Sequence, residues 1–375
     1  MKTKQLSIAA LALAAALTAC NSGSKNQNSD EWVIKNDVWK VEDIDFDKIA
    51  EVVDIKPIAT DEPIAELRPY MSGTSNDFIA CDKFSRQIFY HIVDGRMTEK
   101  LQAAGNGPNE YNHLDYYSYL PADNLLYGYD RRGRIIRFRT SPFKFESYFP
   151  TDDYFVDDLV ALGRDRLLLS ASTRPDSSSI YEFDGQSMTK VIDVNRYASN
   201  IMFPTYSRSD NGVLMAVKQE NTIVCKYAEG QMTKIATIDY GNMELTKDKE
   251  YITTLEGGLQ MRNFKDFAMG CKYAIYNGST LAYWYRSVLK QEAHNHLTIA
   301  TRDQVQNYKP HIGGTKIDVF PGLLDNGVYT MLIQGDWESK INADEEMSET
   351  GKRIIEAMKG NDYNPVILQF KLKTM

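Results

Sequence analysis

Short runs of alternating apolar and polar residues follow one another along most of the chain. The segments 123–149 and 211–239 show this best, because each contains three such runs joined by two polar turns. Alternation with a period of two is typical of a β-strand with one buried face. X-Gly pairs of the hairpin type separate the runs at Asp94-Gly95, Asp184-Gly185, Asn211-Gly212, Asn277-Gly278 and Asn326-Gly327. The pattern predicts an all-β fold built from antiparallel hairpins.

One of these turns recurs at a fixed interval. Similar segments surround Gly95, Gly185 and Gly230, which are 90 and 45 residues apart, and a degenerate copy lies at 135–142. Repeats of about 40–50 residues are typical of propeller blades, whose radial closure protects the sheet edges. Six units can be placed, at 77–101, 123–149, 165–192, 211–239, 264–300 and from 317 to the end. The sequence therefore predicts a six-bladed β-propeller over residues 46–375, with seven blades as the alternative.

Two segments depart from the repeat. Residues 343–359 begin with acidic side chains and precede Gly360, which stands where a helix would end. One helical face of this segment carries Met347, Ile354, Ile355 and Met358. We expect a helix inserted in the last blade, against the side or the mouth of the propeller. The β-like run 51–56 lies before the first unit, and we expect it to complete the last blade.

The N-terminus has the tripartite pattern of a secretory signal. Lys2 and Lys4 precede an uncharged apolar run from Leu6 to Thr18, which is too short for a membrane-spanning helix. The end of this run and the two residues after it, Leu17-Thr18-Ala19-Cys20, resemble the bacterial lipobox. The resemblance implies that residues 1–19 are removed and that Cys20 carries a diacylglyceryl thioether and a further acyl chain. The alternative is an ordinary signal peptide followed by an incidental cysteine.

The segment after Cys20 is polar and lacks large apolar residues from Asn21 to Ser29. We expect residues 20–45 to form a flexible tether, because such a composition cannot bury enough surface to fold. Asp30 and Glu31 come late, so the acidic cluster that resembles a surface-export signal in Bacteroidota lipoproteins is absent next to the cysteine. We therefore expect anchoring in the outer membrane with the protein facing the periplasm.

Charge and cysteine content narrow the possible partners. The chain has a formal net charge of −8, so a basic surface for nucleic acid is not expected and the lipid must provide the attachment to the membrane. Cys81, Cys225 and Cys271 show no metal-binding or redox spacing. We interpret them as buried apolar residues, and a single disulfide between two of them stays open.

Two further motifs carry a family resemblance. Gly105-Asn106-Gly107-Pro108-Asn109-Glu110-Tyr111 resembles the G-x-G-P-x-E-[FY] motif of the TolB-like six-bladed propeller lipoproteins of Bacteroidota. Asn364-Pro365-Val366-Ile367-Leu368 resembles the N-P-V-L ending of that family. Asn109 departs from the glycine that is common there. The resemblance covers nearly the whole mature chain and implies a fold and a location, but no activity, since the family is largely uncharacterised.

Signatures of catalysis are sparse. His294 and His296 are two residues apart, which on a strand places both rings on one face, but no third metal ligand is spaced nearby. Surface or channel-lining histidines are the ordinary interpretation. Acidic pairs such as Asp152-Asp153 and Asp157-Asp158 are frequent in a chain this acidic, and most of them are interpreted as solvated loop residues. The chain contains no G-x-S-x-G or H-E-x-x-H motif, and we predict no cofactor.

Aromatic and arginine residues supply the candidate ligand-binding groups. These are Tyr116, Tyr117, Tyr119, Trp284, Arg131 and Arg132. Rings with a polar edge are enriched where proteins bind partners or sugars, although packing between blades is their ordinary role. We therefore expect a binding or scaffold module for a protein or glycan partner. The alternative is a propeller hydrolase or lyase with a metal in the tunnel, which would require His91, His113, His294, His296 and His311 to converge.

The lipobox makes a direct prediction about processing. Inhibition of signal peptidase II by globomycin should leave the precursor uncleaved, so a larger form should accumulate in membranes on an immunoblot. An unchanged mature size in treated cells would show that Cys20 is not a lipidation site.

Overall fold

Six antiparallel sheets follow one another along the chain in the computed structural model of the protein. The structure describes residues 31–373, apart from 65, 86, 152, 175–176, 195–205, 210–211, 219–220, 245–265, 291, 318, 336, 338–339, 341–346 and 360–363. Cys20 and the predicted signal peptide therefore lie outside the described residues. Residues 33–375 form one compact unit. Within it the six sheets are the blades of a propeller, which confirms the predicted fold.

The first three blades each have four strands in chain order. The chain begins with β1 (Val33–Lys35), β2 (Glu42–Asp45), helix α1 (Phe46–Ile49) and β3 (Ala50–Pro57). Blade 1 consists of β4 (Leu67–Gly73), β5 (Asp77–Asp82), β6 (Phe89–Val93) and β7 (Arg96–Leu101). Blade 2 consists of β8 (Leu114–Leu120), β9 (Leu125–Asp130), β10 (Arg134–Thr140) and β11 (Phe143–Pro150). Blade 3 consists of β12 (Phe155–Gly163), β13 (Arg166–Arg174), β14 (Ser177–Phe183) and β15 (Met188–Val194).

The last three blades incorporate the N-terminal strands. Blade 4 consists of β16 (Tyr206–Ser209), β17 (Gly212–Lys218), β18 (Thr222–Ala228) and β19 (Gln231–Asp239), with β1 added in parallel to β19. Blade 5 consists of β20 (Phe267–Tyr276), β21 (Leu281–Leu289), β22 (Glu292–Ala300) and β23 (Val305–Ile312), flanked by β24 (Thr315–Lys316) and β2. Blade 6 consists of β25 (Leu323–Asp325), β26 (Val328–Ile333), β27 (Val366–Leu372) and β3.

The N-terminal strand β3 closes the ring. It pairs antiparallel with β27, in a register that runs from Val366 opposite Pro57 to Leu372 opposite Ala50. The first blade-forming segment of the chain is thus hydrogen-bonded to the last one. This confirms the expectation that the run 51–56 completes the last blade.

The tether prediction is wrong in its second half. Residues 33–35 and 42–45 were expected in a flexible linker, but they form β1 and β2. β1 pairs with β19 and β2 pairs with β23, both in parallel, so each covers the outer edge of a blade. Covering an exposed edge satisfies backbone groups that would otherwise attract other chains. The alternation in 33–35 is too short to be distinguished from a linker by pattern alone.

The recurring Gly turn is the hairpin between the two outer strands of a blade. Asp94-Gly95 joins β6 to β7, with φ values of 49° and 78°, and Glu229-Gly230 joins β18 to β19, with φ values of 50° and 78°. Two consecutive residues with positive φ form the primed turn that suits the twist of a hairpin. At Asp184-Gly185, between β14 and β15, only Gly185 has a positive φ, of 91°. The repeat was visible in the sequence because each of the three hairpins has a positive φ at its glycine, which restricts the residue there.

Apolar side chains fill the spaces between neighbouring blades. The largest group lies between blades 5 and 6, where Trp284, Tyr329 and Phe370 are completely or almost completely buried. Phe370 stacks on Tyr329 with ring centroids 5.2 Å apart and meets Phe46 of α1 edge-on at 4.8 Å. This contact joins the closing strand pair to the N-terminal helix.

The predicted helical insertion is confirmed as α2 (Glu349–Met358), which lies in the chain between β26 and β27. Ser348 caps it, because its Oγ accepts a hydrogen bond of 3.2 Å from the backbone N–H of Gly351. Ile354 and Ile355 are buried against the outer strands of blade 6, so α2 covers the side of the propeller rather than its mouth.

Cys81, Cys225 and Cys271 are buried and form no disulfide with one another. Each lies on a strand, in β5, β18 and β20 respectively. This agrees with the interpretation of the three thiols as buried apolar side chains.

Replacement of Phe370 tests the closing contact. Phe370→Ala should lower the free energy of unfolding by about 3–5 kcal/mol, because it removes a buried ring and leaves a cavity. The exposed Phe84, at 74% of its full accessible surface, provides the control, and Phe84→Ala should change stability by less than about 0.5 kcal/mol. Denaturant unfolding measures both changes. Equal decreases in the free energy of unfolding for the two variants would show that Phe370 has no special role in closing the ring.

Candidate functional site

The first strands of the blades surround a central cavity of about 600 Å³. Residues from β4, β8, β12, β16, β20 and β25 all line it. The blades repeat one up-and-down strand order, so these inner strands run in the same direction along the cavity. Serine side chains join neighbouring inner strands, because Ser72 Oγ accepts from the Tyr119 N–H at 2.8 Å and Ser118 Oγ accepts from the Ala161 N–H at 2.9 Å. The cavity is within the size range of small-molecule sites.

The cavity wall is cationic although the chain as a whole is acidic. Among the described residues that line it, five carry a positive charge: Arg68, Arg131, Arg208, Lys272 and Arg286. Two carry a carboxyl group, Asp115 and Asp158. Over the full chain, acidic residues exceed basic ones by eight. A positive interior in a negative protein would attract and hold anionic ligands.

Arg68 and Arg131 lie at the end where the inner strands begin. Arg68 is the second residue of β4, and its Nη1 donates to the Asp115 carbonyl at 3.3 Å. Arg131 lies in the turn between β9 and β10, and its Nε and Nη2 reach the same Asp115 oxygen at 2.6 and 2.5 Å. The Asp115 carboxylate is thereby neutralised, whereas Arg68 forms no ion pair with a described carboxylate.

Arg208 lies towards the opposite end of the cavity. Its Nη2 donates to Ser118 Oγ at 3.3 Å, to the Tyr119 carbonyl at 3.0 Å and to the Ala161 carbonyl at 3.1 Å. The guanidinium therefore reaches from blade 4 to the C-terminal halves of the inner strands in blades 2 and 3. All three acceptors are uncharged, and burial lowers the pKa of Arg208 from its ordinary value. The charge is held in place by neutral oxygens rather than by a carboxylate.

Tyrosine rings occupy much of the remaining wall. Tyr70, Tyr116, Tyr206 and Tyr273 come from four different inner strands. Tyr70 donates its hydroxyl to the Tyr117 carbonyl at 2.8 Å, and Tyr273 donates to the Gly322 carbonyl at 3.3 Å. The Tyr206 hydroxyl is shielded from solvent and has no hydrogen-bond partner among the described residues. Burial raises the pKa of all four phenols, so each remains a protonated hydrogen-bond donor.

Asp158 is the second carboxyl group of the cavity, and it belongs to β12 rather than to a loop. Burial raises its pKa to about 8, with a further increase from Asp157 and an opposing effect from Lys272. Burial also raises the pKa of Asp157 to about 6. Asp157-Asp158 is therefore an exception to the interpretation of most acidic pairs as solvated loop residues. At neutral pH Asp158 is mostly a neutral acid, which leaves the cavity more positive.

The structure brings two of the predicted ligand-binding residues, Tyr116 and Arg131, to the cavity wall. It does not bring the other aromatic residues there. Tyr117, Tyr119 and Trp284 have no exposed surface. Tyr117 packs against Phe89 between blades 1 and 2, with ring centroids 5.1 Å apart, and Trp284 packs against Tyr329 between blades 5 and 6. Their assignment as ligand-binding residues is corrected, because blade packing covers the rings completely.

Arg132 also has a structural role instead of a place on the cavity wall. Its Nε contacts Asp130 Oδ2 at 2.7 Å, and its Nη2 donates to the carbonyl of Glu110. Glu110 in turn accepts a hydrogen bond of 2.7 Å from the Gly107 N–H. A Cβ at Gly105 would lie 2.1 Å from the Glu110 carboxylate. The G-x-G-P-x-E motif is therefore a self-bonded loop that Arg132 holds against blade 2.

The two predicted metal-ligand candidates lie away from the central cavity. His294 and His296 line a second cavity of about 180 Å³ beside the N-terminal segment, together with Trp39 and Lys309. The His296 ring is buried, lies 2.7 Å from Ser287 Oγ at its Nε2 and stacks on Tyr285. Burial lowers its pKa to about 3, so it is neutral. Within the described part of the chain, no group of three or more His, Cys, Asp or Glu side chains could hold a metal ion.

The residues that define the cavity were not predicted as site residues from the sequence; they are Arg68, Tyr70, Asp158, Tyr206 and Arg208. All belong to inner strands, and the predicted units began one strand too late in the first four blades. A signal was available, because Tyr70, Tyr116 and Tyr206 are separated by 46 and 90 residues, close to one and two repeat lengths. If each predicted unit had begun one strand earlier, the inner strands with these tyrosines would have been included.

Known proteins establish the fold of the chain. A protein described as exported, from Bacteroides fragilis NCTC 9343, has a solved structure that matches 91% of this chain and 99% of its own, with a TM-score of 0.66 and 12% identity. A DUF4221 family member from Bacteroides vulgatus matches 86% of this chain and 98% of its own, with a TM-score of 0.48 and 7% identity. No family model and no curated protein matches the sequence. Identity at this level shows a shared fold alone.

No helix among the described residues is long and apolar enough to cross a membrane.

The raised pKa of Asp158 predicts a pH-dependent stability. The unfolded carboxyl titrates near pH ~4 and the folded one near pH 8, so the folded state binds more protons between these values. Its contribution to stability therefore falls as pH rises through this window, by up to about 1.4 kcal/mol per pH unit, less where cavity water reaches the carboxylate.

Thermal unfolding of Asp158→Asn from pH 5 to 9 would measure this contribution. The variant should gain stability relative to wild type as pH rises, because it lacks the buried charge. Asp303→Asn, at an exposed position, should follow the wild-type curve. A constant difference between Asp158→Asn and wild type across the range would contradict the assignment.

Proposed function

We propose that this protein is an exported envelope lipoprotein whose propeller is a binding module and whose central cavity receives a ligand. The ligand is a small molecule or the end of a glycan chain. The cavity carries the proposal, because it joins all six blades and combines aromatic rings with hydrogen-bond donors. Small-ligand sites are typically concave, mainly apolar and equipped with a few well-placed polar groups.

The tyrosine content of the wall supports a sugar-like ligand. Tyr116 and Tyr206 come from inner strands of different blades and both line the cavity. A phenol offers an apolar ring face together with a polar edge, which suits the two kinds of surface on a sugar ring. Because the rings belong to strands rather than to loops, the site is largely formed before the ligand arrives.

The proposed location follows from the N-terminus. The lipobox before Cys20 supports anchoring by a thioether-linked lipid, and several acyl chains make such an anchor stable. The polar residues after Cys20 lack an early acidic cluster, which supports an outer-membrane position facing the periplasm. The fold match to a protein described as exported is consistent with the same compartment.

An enzymatic role has one observation in its favour. Asp158 is a carboxylic acid with a pKa near 8 in a cavity, as a general acid would require. A hydrolase of the two-carboxylate type would also need a second carboxylate that is free to act as a nucleophile or a base. The other carboxyl group on the wall, Asp115, is held by Arg131. Binding therefore fits the described residues better than turnover does.

Ligand binding can be tested with the mature protein in detergent. A panel of sugars and oligosaccharides should contain compounds that raise the melting temperature, and calorimetry should give their dissociation constants. Tyr116→Ala should weaken the best ligand about three- to tenfold, because a ring contact is worth about 0.5–1.5 kcal/mol.

Tyr148→Ala serves as the matched control, since Tyr148 lies half-exposed on the outer strand β11. Its affinity should equal that of wild type. Binding that is unaffected by Tyr116→Ala, or conversion of the ligand to product during the titration, would overturn the proposal.

A further inference from the structure

We propose that the Arg208 end of the central cavity is an oxyanion site, which binds a carboxylate or phosphate group carried by the ligand. This inference rests on the proposed function, because it names the chemical class of ligand that the cavity takes. The expected ligands are acidic sugars or sugar phosphates. Three features of the described residues support it. Arg208 forms no ion pair with a described carboxylate, the buried hydroxyl of Tyr206 has no described hydrogen-bond partner, and the nearby carboxyl groups are protonated or bonded to other residues.

Arg208 uses only part of its donor capacity within the protein. A guanidinium has five N–H donors in a planar fork. The three bonds to Ser118, Tyr119 and Ala161 all come from Nη2. Nε and Nη1 donate to no described residue, and Arg208 forms no ion pair with a described carboxylate. The bonds at Nη2 fix the fork, so the remaining donors are preorganised for a bidentate oxyanion.

Tyr206 supplies a second donor on the same strand. Residues 206 and 208 are two apart on β16, which places both side chains on the face that lines the cavity. The Tyr206 hydroxyl is shielded from solvent and bonds to no described residue. A buried hydroxyl without a partner costs about 1–3 kcal/mol, and a ligand oxygen would remove that cost.

None of the described acidic groups forms an ion pair with Arg208. The charge of Asp325 partly offsets the lowering of the Arg208 pKa by burial, but the Oδ2 of Asp325 accepts hydrogen bonds from Ser75 at 3.2 and 3.4 Å. Asp158 is mostly neutral below pH 8 because it is buried. Asp115 is bound to Arg131 at the other end of the cavity. The positive charge of Arg208 is therefore available to a ligand.

The other positively charged residues of the cavity wall also favour an anionic ligand. Arg68 lies at the opposite end from Arg208. Lys272 and Arg286 both lie against the ring of Phe320, at 4.9 and 5.1 Å from its centroid. A ligand with its acidic group on Arg208 would thus meet positive potential throughout, and each cavity cation would weaken the binding of cationic compounds.

Four probes separate the chemistry of the anion from that of the sugar. Glucuronate carries a carboxylate, glucose 6-phosphate carries a phosphate, glucose carries neither group, and inorganic phosphate carries the anion without a sugar. Calorimetry on the mature protein should show that at least one of the two acidic sugars binds ten times more tightly than glucose. The acidic sugar that binds more tightly shows whether the site prefers a carboxylate or a phosphate. Binding of inorganic phosphate alone would identify a site for the free ion.

Three variants locate the site. Arg208→Gln should weaken the acidic sugar by tenfold or more while changing glucose affinity less than threefold. Tyr206→Phe keeps the ring and should weaken the acid about threefold without lowering the melting temperature, so it tests the site even if Arg208→Gln folds poorly. Arg139→Gln removes one positive charge from β10, outside the cavity wall, and should bind like wild type.

The outcomes distinguish this inference from the proposed function. If glucose binds as tightly as glucuronate and glucose 6-phosphate, the cavity binds ligands but contains no oxyanion site. If the acids bind preferentially but Arg208→Gln and Tyr206→Phe leave their affinity unchanged, the anion lies elsewhere and the assignment is wrong. If no probe and no member of the wider sugar panel binds, both the oxyanion site and the proposed function fail.

Discussion

The pairing of β3 with β27 closes the ring of blades, and without it neither the blade packing nor the central cavity would form. Each blade has an outer face that only the next blade can cover, so an open row of six would leave two apolar surfaces and two strand edges in water. Joining Ala50–Pro57 to Val366–Leu372 makes the row a ring. The inner strands then face one another, and the central cavity exists only because the ring is closed. Phe46 and α2 pack on this pair, and they reinforce the one connection that the chain does not make covalently.

The wall of the central cavity is positively charged, whereas the chain as a whole is negatively charged. Acidic residues outnumber basic ones in the sequence, but among the described residues five arginine and lysine side chains and two carboxyl groups line the central cavity. Such a distribution costs stability, because like charges repel and Arg208 lacks a described counter-ion. Two neutral carbonyl groups and a serine hydroxyl position its guanidinium without neutralising the charge. An anion bound to Arg208 would offset this loss of stability.

The fold could be predicted from the sequence because its strongest constraints are local. Two consecutive positive φ values at Asp94-Gly95 and Glu229-Gly230 restrict residue choice, so the hairpin of the outer strands repeats visibly. The inner strands contain no such turn, so the predicted units began after them and Arg208 was missed. Tyr116 was found because it belongs to a cluster of tyrosines, and Arg131 because it lies in an arginine-rich turn. Trp284 shows the opposite error, because an aromatic residue on a strand has the same pattern whether it meets a ligand or a neighbouring blade.

A structure of the mature protein crystallised with glucuronate would show whether Arg208 binds the acidic group of a ligand. The account predicts the carboxylate within about 2.7–3.2 Å of the Arg208 guanidinium, with the Tyr206 hydroxyl donating to it and the sugar ring beside the tyrosines of the wall. A carboxylate bound outside the cavity, or a ligand in the cavity with its acidic group turned away from Arg208, would contradict it.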